Sequence, residues 1–510
     1  MLAKSIMLQG TSSHAGKSFL AAGLCRLFYR EGFKVAPFKS QNMALNSYVT
    51  REGLEIGRAQ GVQAEAAGVA AAVEMNPILL KPKEDMVAQV IVMGKPLADM
   101  SARDYRERYI PQGLEVVKAA LDSLRQKYDL LVIEGAGSPA EINLRDRDIA
   151  NMKIAELAQA PVIIVGDIDR GGVFASMVGT MELLTPRERR RVAGFVINKF
   201  RGDASLLTPA LDFLEERTGL PVLGVIPFME NPGIEEEDSV SLHDRKDHRA
   251  REGQLDIAVI RLPRISNYTD FAPLEAEPDV ALRYVNLPER LGSPDAIILP
   301  GTKNTTSDLQ FLHNSGLAES LRRLCLEGIP VVGICGGFQM LGEALRDPLG
   351  TESSHLEECA GLGLLPLRTT FNREKLTRQV RALVSSHPYW GDLSGRELEG
   401  YEIRHGSSEV LQDMPSITVS GKSEEIIGIA SPERPVFGTY LHDVFSNDDF
   451  RRYWLNGLRR GKGLPLPEED DCSFVSTKAR REASYDRLAA VLKEHLDMER
   501  LYRIMGVRMP

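Results

Sequence analysis

Along this chain, short apolar runs alternate with longer stretches in which apolar residues recur at helical spacing. The first group of strand-like runs lies at 5–9, 34–38, 130–133, 162–165, 192–197 and 222–226. Strands that alternate with helices predict a parallel sheet covered on both faces. Between 231 and 253 the pattern breaks at Pro232 and Gly233, followed by acids and then mixed charges, which reads as an exposed linker. Runs resume at 255–260, 280–285, 296–299, 331–334, 426–430 and 436–439 and predict a second sheet. From 449 onward the composition is helical, and 478–504 is expected to form a terminal appendage packed on the second domain. The organisation expected is α/β: two doubly wound domains over 1–230 and 254–448, a linker over 231–253, and a helical appendage over 449–510.

Composition narrows the function classes. A chain of 510 residues exceeds what one hydrophobic core usually serves, in keeping with two large domains. It is 43% hydrophobic and 26% charged, ordinary for a globular protein. A net charge of −9 and a pI of about 5.7 argue against bulk nucleic-acid or anionic-membrane binding, so any anionic substrate must meet locally clustered Arg and Lys. No apolar run approaches the roughly 20 residues of a membrane span, and the start lacks a charged leader with a cleavage site, so the cytoplasm is expected. Cys25, Cys325, Cys335, Cys359 and Cys472 are scattered and odd in number, which suggests neither a disulfide framework nor a zinc site.

Of these cysteines, Cys335 alone has a nucleophile's setting. The apolar run 331–334 stops on it, and Gly333, Gly336 and Gly337 flank it where a helix should begin. A strand entering a helix through so sharp a turn exposes the side chain at its apex and leaves no room for neighbouring side chains. The helix N-terminus favours thiolate over thiol. Far downstream, His442 follows the run 436–439 and is placed to take the thiol proton.

The other end of the chain carries different chemistry. Gly10, Thr11, Ser12, Ser13, His14, Ala15, Gly16, Lys17, Ser18 follows the first strand and opens the helix 18–30, the context a phosphate-binding loop requires. Amides of such a loop point at phosphate oxygens, Lys17 neutralises the outer phosphates, and the Ser18 hydroxyl can ligate Mg²⁺. The leading glycine lies one residue further from the Lys-Ser pair than in the standard pattern, a variant loop. Glu134, ending the run 130–133 before Gly135, is the second candidate Mg²⁺ ligand, with turn capping as the plainer role. Asn198, at another strand end, is a candidate for reading adenine or a simple cap. Arg145, Arg147, Arg170 and Arg201 suit either a polycarboxylate pocket or ion pairs with neighbouring aspartates.

The second domain resembles the class I glutamine amidotransferases, of flavodoxin-like fold, in which a cysteine on such a turn releases ammonia from glutamine. That likeness implies Cys335 and His442 as catalytic residues and the backbone N–H groups of Gly301 and Gly336 as the oxyanion hole. Most of that class has glutamate two positions after the histidine; here Asp443 and Val444 follow, so the third member of the triad is left open. The cobyric and cobyrinic amidases also lack that glutamate, and their Gly-Tyr-Glu-Ile pattern stands here at Gly400, Tyr401, Glu402, Ile403. The first domain resembles the dethiobiotin-synthetase type of ATP-dependent ligase. The whole order of motifs, including Lys39, Ser40, Gln41, Asn42, Met43, resembles the cobyric acid synthase family.

The resemblance implies ATP with Mg²⁺, glutamine and a corrin polycarboxylate as the small-molecule partners, with no tightly bound metal or organic cofactor. It also implies amidation of carboxylates b, d, e and g of adenosylcobyrinic acid a,c-diamide through an acyl phosphate. Lys39, Gln41, Asn42, Arg145 and Arg170 are the candidates for holding the substrate. Two rivals stand beside this reading: an a,c-diamide synthase or other polycarboxylate amidase, and a nucleotide switch or partition protein with a degenerate glutaminase.

Overall fold

The structure, a computed structural model, describes residues 2–509 except 85, 231, 236–249, 353–356 and 468–475. Most of the expected linker, and Cys472, lie outside the described residues. By packing, the chain falls into two units, each discontinuous in sequence. The first comprises Met1–Ala44, Glu55–Glu235 and Lys478–Pro510; the second comprises Leu45–Leu54 and Glu236–Thr477.

In the first unit, six described strands form a parallel sheet in the order Val222–Pro227, Val192–Phe200, Val162–Asp167, Lys4–Gly10, Leu130–Glu134, Val35–Phe38. All of Leu130–Glu134 and Val162–Asp167 is buried, as strands covered on both faces must be. Lys4–Gly10 lies between these two, so its carboxyl end opens where the order of strands reverses, the usual ligand crevice of such sheets. The helix Lys17–Arg30 follows that crevice.

The sequence pattern did not disclose a small second sheet, Gln41–Met43 with Ile78–Glu84, Val87–Val92 and Lys95–Ser101. Lys95–Ser101 is largely exposed and carries Pro96, so it lacks the apolar run by which buried strands are recognised.

In the second unit, Val280–Val285, Leu255–Ile260, Ala296–Leu299, Val331–Ile334 and Val436–Thr439 are adjacent and parallel. Beyond them the sheet turns antiparallel through Lys422–Ala430 and Ser416–Val419 to Leu367–Val384, which pairs with Glu397–Val410. That long ribbon also escaped the sequence pattern. Its exposed positions mix charged residues such as Arg368 and Arg381 with Thr370, Asn372, Gln379 and Leu383, and burial alternates only in patches along Leu367–Val384.

The C-terminal helices correct one expectation. Asp448–Lys462 packs in the second unit, where Phe450, Leu455 and Leu458 enter its core. From Lys478 on, however, the chain belongs to the first unit. Tyr485, Leu488 and Leu492 of Thr477–His495, and Met498, Leu501 and Tyr502 of Met498–Met505, share a core with Leu20, Leu24 and Phe28. The contact is close: a Cβ added at Gly23 would lie 2.4 Å from Leu492 Cδ1. An apolar helix face repeats at the same spacing whichever sheet it covers, so periodicity does not name its partner.

Candidate active site

The phosphate loop is built by its backbone. Gly16 adopts a left-handed conformation (φ 91°, ψ 20°), and no side chain caps the helix that follows, so its first N–H groups are turned toward the loop. Gly16 must be glycine for a second reason, since a Cβ there would lie 2.1 Å from Asn198 Nδ2. Asn198 Nδ2 donates to the Ala15 carbonyl (3.0 Å), and Lys199 Nζ donates to the His14 carbonyl (2.9 Å) and to Asp167 Oδ2 (2.8 Å). Asn198, the candidate for reading adenine or for a simple cap, thus braces the loop through its amide nitrogen. Lys17, 6% exposed, folds over the loop and donates to the carbonyls of Ser12 (3.0 Å) and Gly137 (3.1 Å). Gly10 packs against it; Thr11 to Ser13 complete the turn, and the Thr11 N–H continues the sheet onto Val165.

Glu134 is 1% exposed, and three side chains donate to its carboxylate. Ser18 Oγ (2.7 Å) and Lys39 Nζ (2.9 Å) share Oε1, while Gln63 Nε2 takes Oε2 (2.8 Å). Burial opposes its charge. The Lys39 ammonium and the hydrogen bonds from Lys39, Ser18 and Gln63 together outweigh burial and hold the carboxyl below its ordinary range. Two hard oxygen donors, Ser18 Oγ and Glu134 Oε1, thus stand at the loop. Among the described residues no three His, Cys, Asp or Glu side chains converge on a metal-sized site. That donor set fits Mg²⁺, which takes one or two protein ligands and completes its shell with phosphate and water.

The candidate substrate residues are dispersed. Lys39 is committed to Glu134; Asn42, 2% exposed, donates to Gln60 Oε1 (3.0 Å); and Gln41 accepts from the Tyr105 hydroxyl. Arg145 donates to the Leu183 carbonyl, Arg147 to that of Arg106 (2.8 Å), and Arg201 to Asp169 (3.0 Å), while Arg170 is exposed. The Arg201 pairing is the ion-pair alternative of the sequence reading.

In the second unit, Cys335 is a strained apex. Its φ of 51° and ψ of −106° lie where an L-residue with a side chain is held only by its surroundings, at a cost of about 1–3 kcal/mol. The surroundings are tight. Cys335 N–H donates to the Thr439 carbonyl (2.8 Å), and a Cβ at Gly337 would lie 1.9 Å from the Leu299 oxygen. Val331–Ile334 and Val436–Thr439 run parallel with Ile334 opposite Thr439, so Cys335 and His442 leave the sheet at the same end. Gly301 and Gly336 meet there: a Cβ at Gly301 would lie 3.3 Å from His442 Cε1, and one at Gly336 3.2 Å from Thr302 N.

The open third position is filled by a residue that sequence reasoning missed. His442 Nδ1–H donates to Asp270 Oδ2 (2.7 Å), and Asp443 N–H donates to Asp270 Oδ1 (3.1 Å). Both His442 and Asp270 are 1% exposed. Burial disfavours charge on the imidazole; the Asp270 carboxylate and the Cys335 thiolate, each also hydrogen-bonded to it, reverse this and push its pKa up to about 10. The site thus favours imidazolium beside Cys335, the setting in which a cysteine serves as nucleophile. Asp270 sits in the turn Tyr268–Phe271, with no local motif to announce it.

Comparison with known proteins agrees with both halves. Residues 6–239 match the CobQ/CobB/MinD/ParA nucleotide binding domain, and residues 256–450 match the CobB/CobQ-like glutamine amidotransferase domain. A cobyric acid synthase of Desulforamulus reducens is 53% identical over 99% of each chain. Cobyric acid synthases of Dehalococcoides mccartyi and Moorella thermoacetica are each 50% identical, over 99% and 100% of this chain and 99% and 98% of theirs. The chain belongs to the cobyric acid synthase family. The matches to cobyric acid synthases run nearly end to end and so span both units. No described helix is long and apolar enough to cross a membrane.

Proposed function

We propose that this chain is a glutamine-hydrolysing, ATP-dependent carbon–nitrogen ligase of cobalamin biosynthesis. It amidates carboxylates b, d, e and g of adenosylcobyrinic acid a,c-diamide to give cobyric acid, acting in the cytoplasm. The observation that carries this reading is near-full-length identity of 50% or more to cobyric acid synthases. The same likeness disfavours a partition protein with a degenerate glutaminase, as does the paired Cys335–His442–Asp270.

In the second unit, Cys335 thiolate attacks the side-chain carbonyl carbon of glutamine, and the oxyanion is met by the N–H groups of Gly301 and Gly336. His442 gives its Nε2 proton to the departing nitrogen, so that ammonia leaves and a glutamyl thioester remains. His442 then takes a proton from water, which cleaves the thioester to glutamate and restores the thiolate. Asp270 fixes the imidazole through Nδ1.

In the first unit, a substrate carboxylate oxygen attacks the γ-phosphorus of ATP, and ADP leaves. Lys17 and the amides following Gly16 balance the charge spread over the transferring group. Mg²⁺, held by Ser18 and Glu134, would neutralise charge on the phosphate oxygens when bound. Ammonia displaces phosphate from the acyl phosphate and leaves the amide.

The test is product mass. With ATP, glutamine and the a,c-diamide, four amidations are expected, each replacing OH by NH₂. Cys335→Ala should lose amidation from glutamine yet keep it from free ammonia. A product amidated only at a and c, from cobyrinic acid, would instead identify an a,c-diamide synthase.

A further inference from the structure

His442 is approached on its Nε2 side by a second group besides Cys335. Asn267 lies 3.5 Å away through its Nδ2 and is 3% exposed. Its backbone is left-handed (φ 52°, ψ 37°), a conformation asparagine tolerates better than most residues. Which end of its amide faces the histidine is set by a hydrogen bond on the other side. Ser47 N–H donates to Asn267 Oδ1 at 2.8 Å, so the oxygen points away from His442 and the NH₂ points toward it.

Ser47 belongs to Leu45–Leu54, the short excursion that packs in the second unit although the chain on either side of it belongs to the first. The excursion is anchored. Gln379 Nε2 donates to the Val49 carbonyl, and Val49 shares an apolar cluster with Tyr401 and Ile403. Those two also touch the triad. Tyr401 stacks on the His442 ring (4.9 Å between centroids, 13° between planes), and the Ile403 carbonyl accepts from Cys335 Sγ (3.3 Å).

We propose that Asn267 is a positioning residue for glutamine hydrolysis, held by the Ser47 N–H with its donor end toward His442. An imidazolium Nε2–H facing an NH₂ finds no acceptor there, so its proton is directed to the sulfur or to the nitrogen leaving glutamine. A turned amide would offer an oxygen, and that oxygen would compete for the proton. The titratable groups facing His442 are Asp270 at Nδ1, Cys335 and the stacked Tyr401, with Asp443 bound to Asp270.

The proposal rests on the glutaminase reading above, and its test separates the two. Loss of glutaminase in Cys335→Ala of the full chain secures the reading; wild-type-like activity there would remove it. Asn267→Asp keeps an acceptor for Ser47 but turns a second oxygen toward His442, whereas Asn267→Ala removes both. Glutaminase kcat is expected to fall at least tenfold in Asn267→Asp and clearly less in Asn267→Ala, with KM for glutamine little changed. The pH dependence of Cys335 alkylation by iodoacetamide should shift in the Asp variant. A residue that merely fills space would give the opposite order, because Asp is the better isostere, and that order overturns the proposal. Should Asn267→Asp fail to fold, as judged by lost amidation from free ammonia, the backbone donor is tested instead. Ser47→Pro, which lacks the N–H, should lower kcat more than Ser47→Ala, which keeps it; equal effects overturn the proposal.

Discussion

The two sites solve the same problem, holding charge where water is scarce, by different means. At the phosphate loop the charges are fixed by groups that strand ends bring to one turn: Gly16 opens the helix, Asn198 and Lys199 brace the loop, and Glu134 accepts from Ser18, Lys39 and Gln63. At Cys335 the charge is conditional, because it lies on the His442 imidazole, whose protonated form Asp270 and Cys335 both favour. The first arrangement suits a site that waits for a polyanion, the second a site whose proton must move twice per turnover. A ready loop needs fixed contacts; a movable proton needs partners that can exchange it.

The comparison is broken most severely at Lys17. Lys17→Ala should lower amidation about a thousandfold with either nitrogen source, while glutamine hydrolysis persists in an assay for glutamate; equal loss of both would mean the two chemistries are inseparable. Next is Asp270→Asn, which keeps the shape and removes the negative charge. Hydrolysis of glutamine should fall about a hundredfold, and the imidazole should lose protons at lower pH, read from the pH profile of kcat. Full activity in this variant would show that the 2.7 Å contact to Nδ1 is idle.

Gly336→Ala sharpens the contrast at a smaller scale. Its Cβ would lie 2.8 Å from Thr302 Cγ2, pushing apart the two turns that offer N–H groups, and about a tenfold loss of glutaminase is expected with ammonia-dependent amidation unchanged.

The smallest effect on activity is expected at Glu235, which pairs with Arg58 (2.6 Å) and Arg481 (2.8 Å). Burial opposes its charge, yet Arg58 and Arg481 hold its pKa down to about 2. A folded value below the unfolded one means stability that is complete above about pH 4.5 and lost as pH falls toward 2, on the order of 3 kcal/mol. Glu235→Gln should therefore flatten the fall of the unfolding midpoint over that acid window. An unchanged slope would remove this pair from the balance.

How far each site was legible in the sequence follows from the same contrast. The phosphate loop and Glu134 were readable because their chemistry lies at strand ends, where apolar runs stop. Cys335 was readable from its glycines, and His442 from the strand before it. Asp270 and Asn267 were not, because they reach His442 from a turn of no distinctive composition, and spacing along the chain carries no information about contacts across a sheet. The core strands were found within a few residues. The ribbon Leu367–Val384 with Glu397–Val410 and the partner of the last helices were missed because alternation confined to patches, and an apolar face without an address, leave the decision to packing.

The interleaving of the two units has a consequence for how the molecule is made. The ribosome delivers the loop-bearing helix Lys17–Arg30 early, but Leu488 and Leu492, which cover it, emerge only after the whole glutaminase. Residues 45–54 in turn must wait for Asn267 and Gln379. A chain cut between 235 and 254 would leave both pieces unfinished, so the cell cannot accumulate an ammonia user without the ammonia source attached.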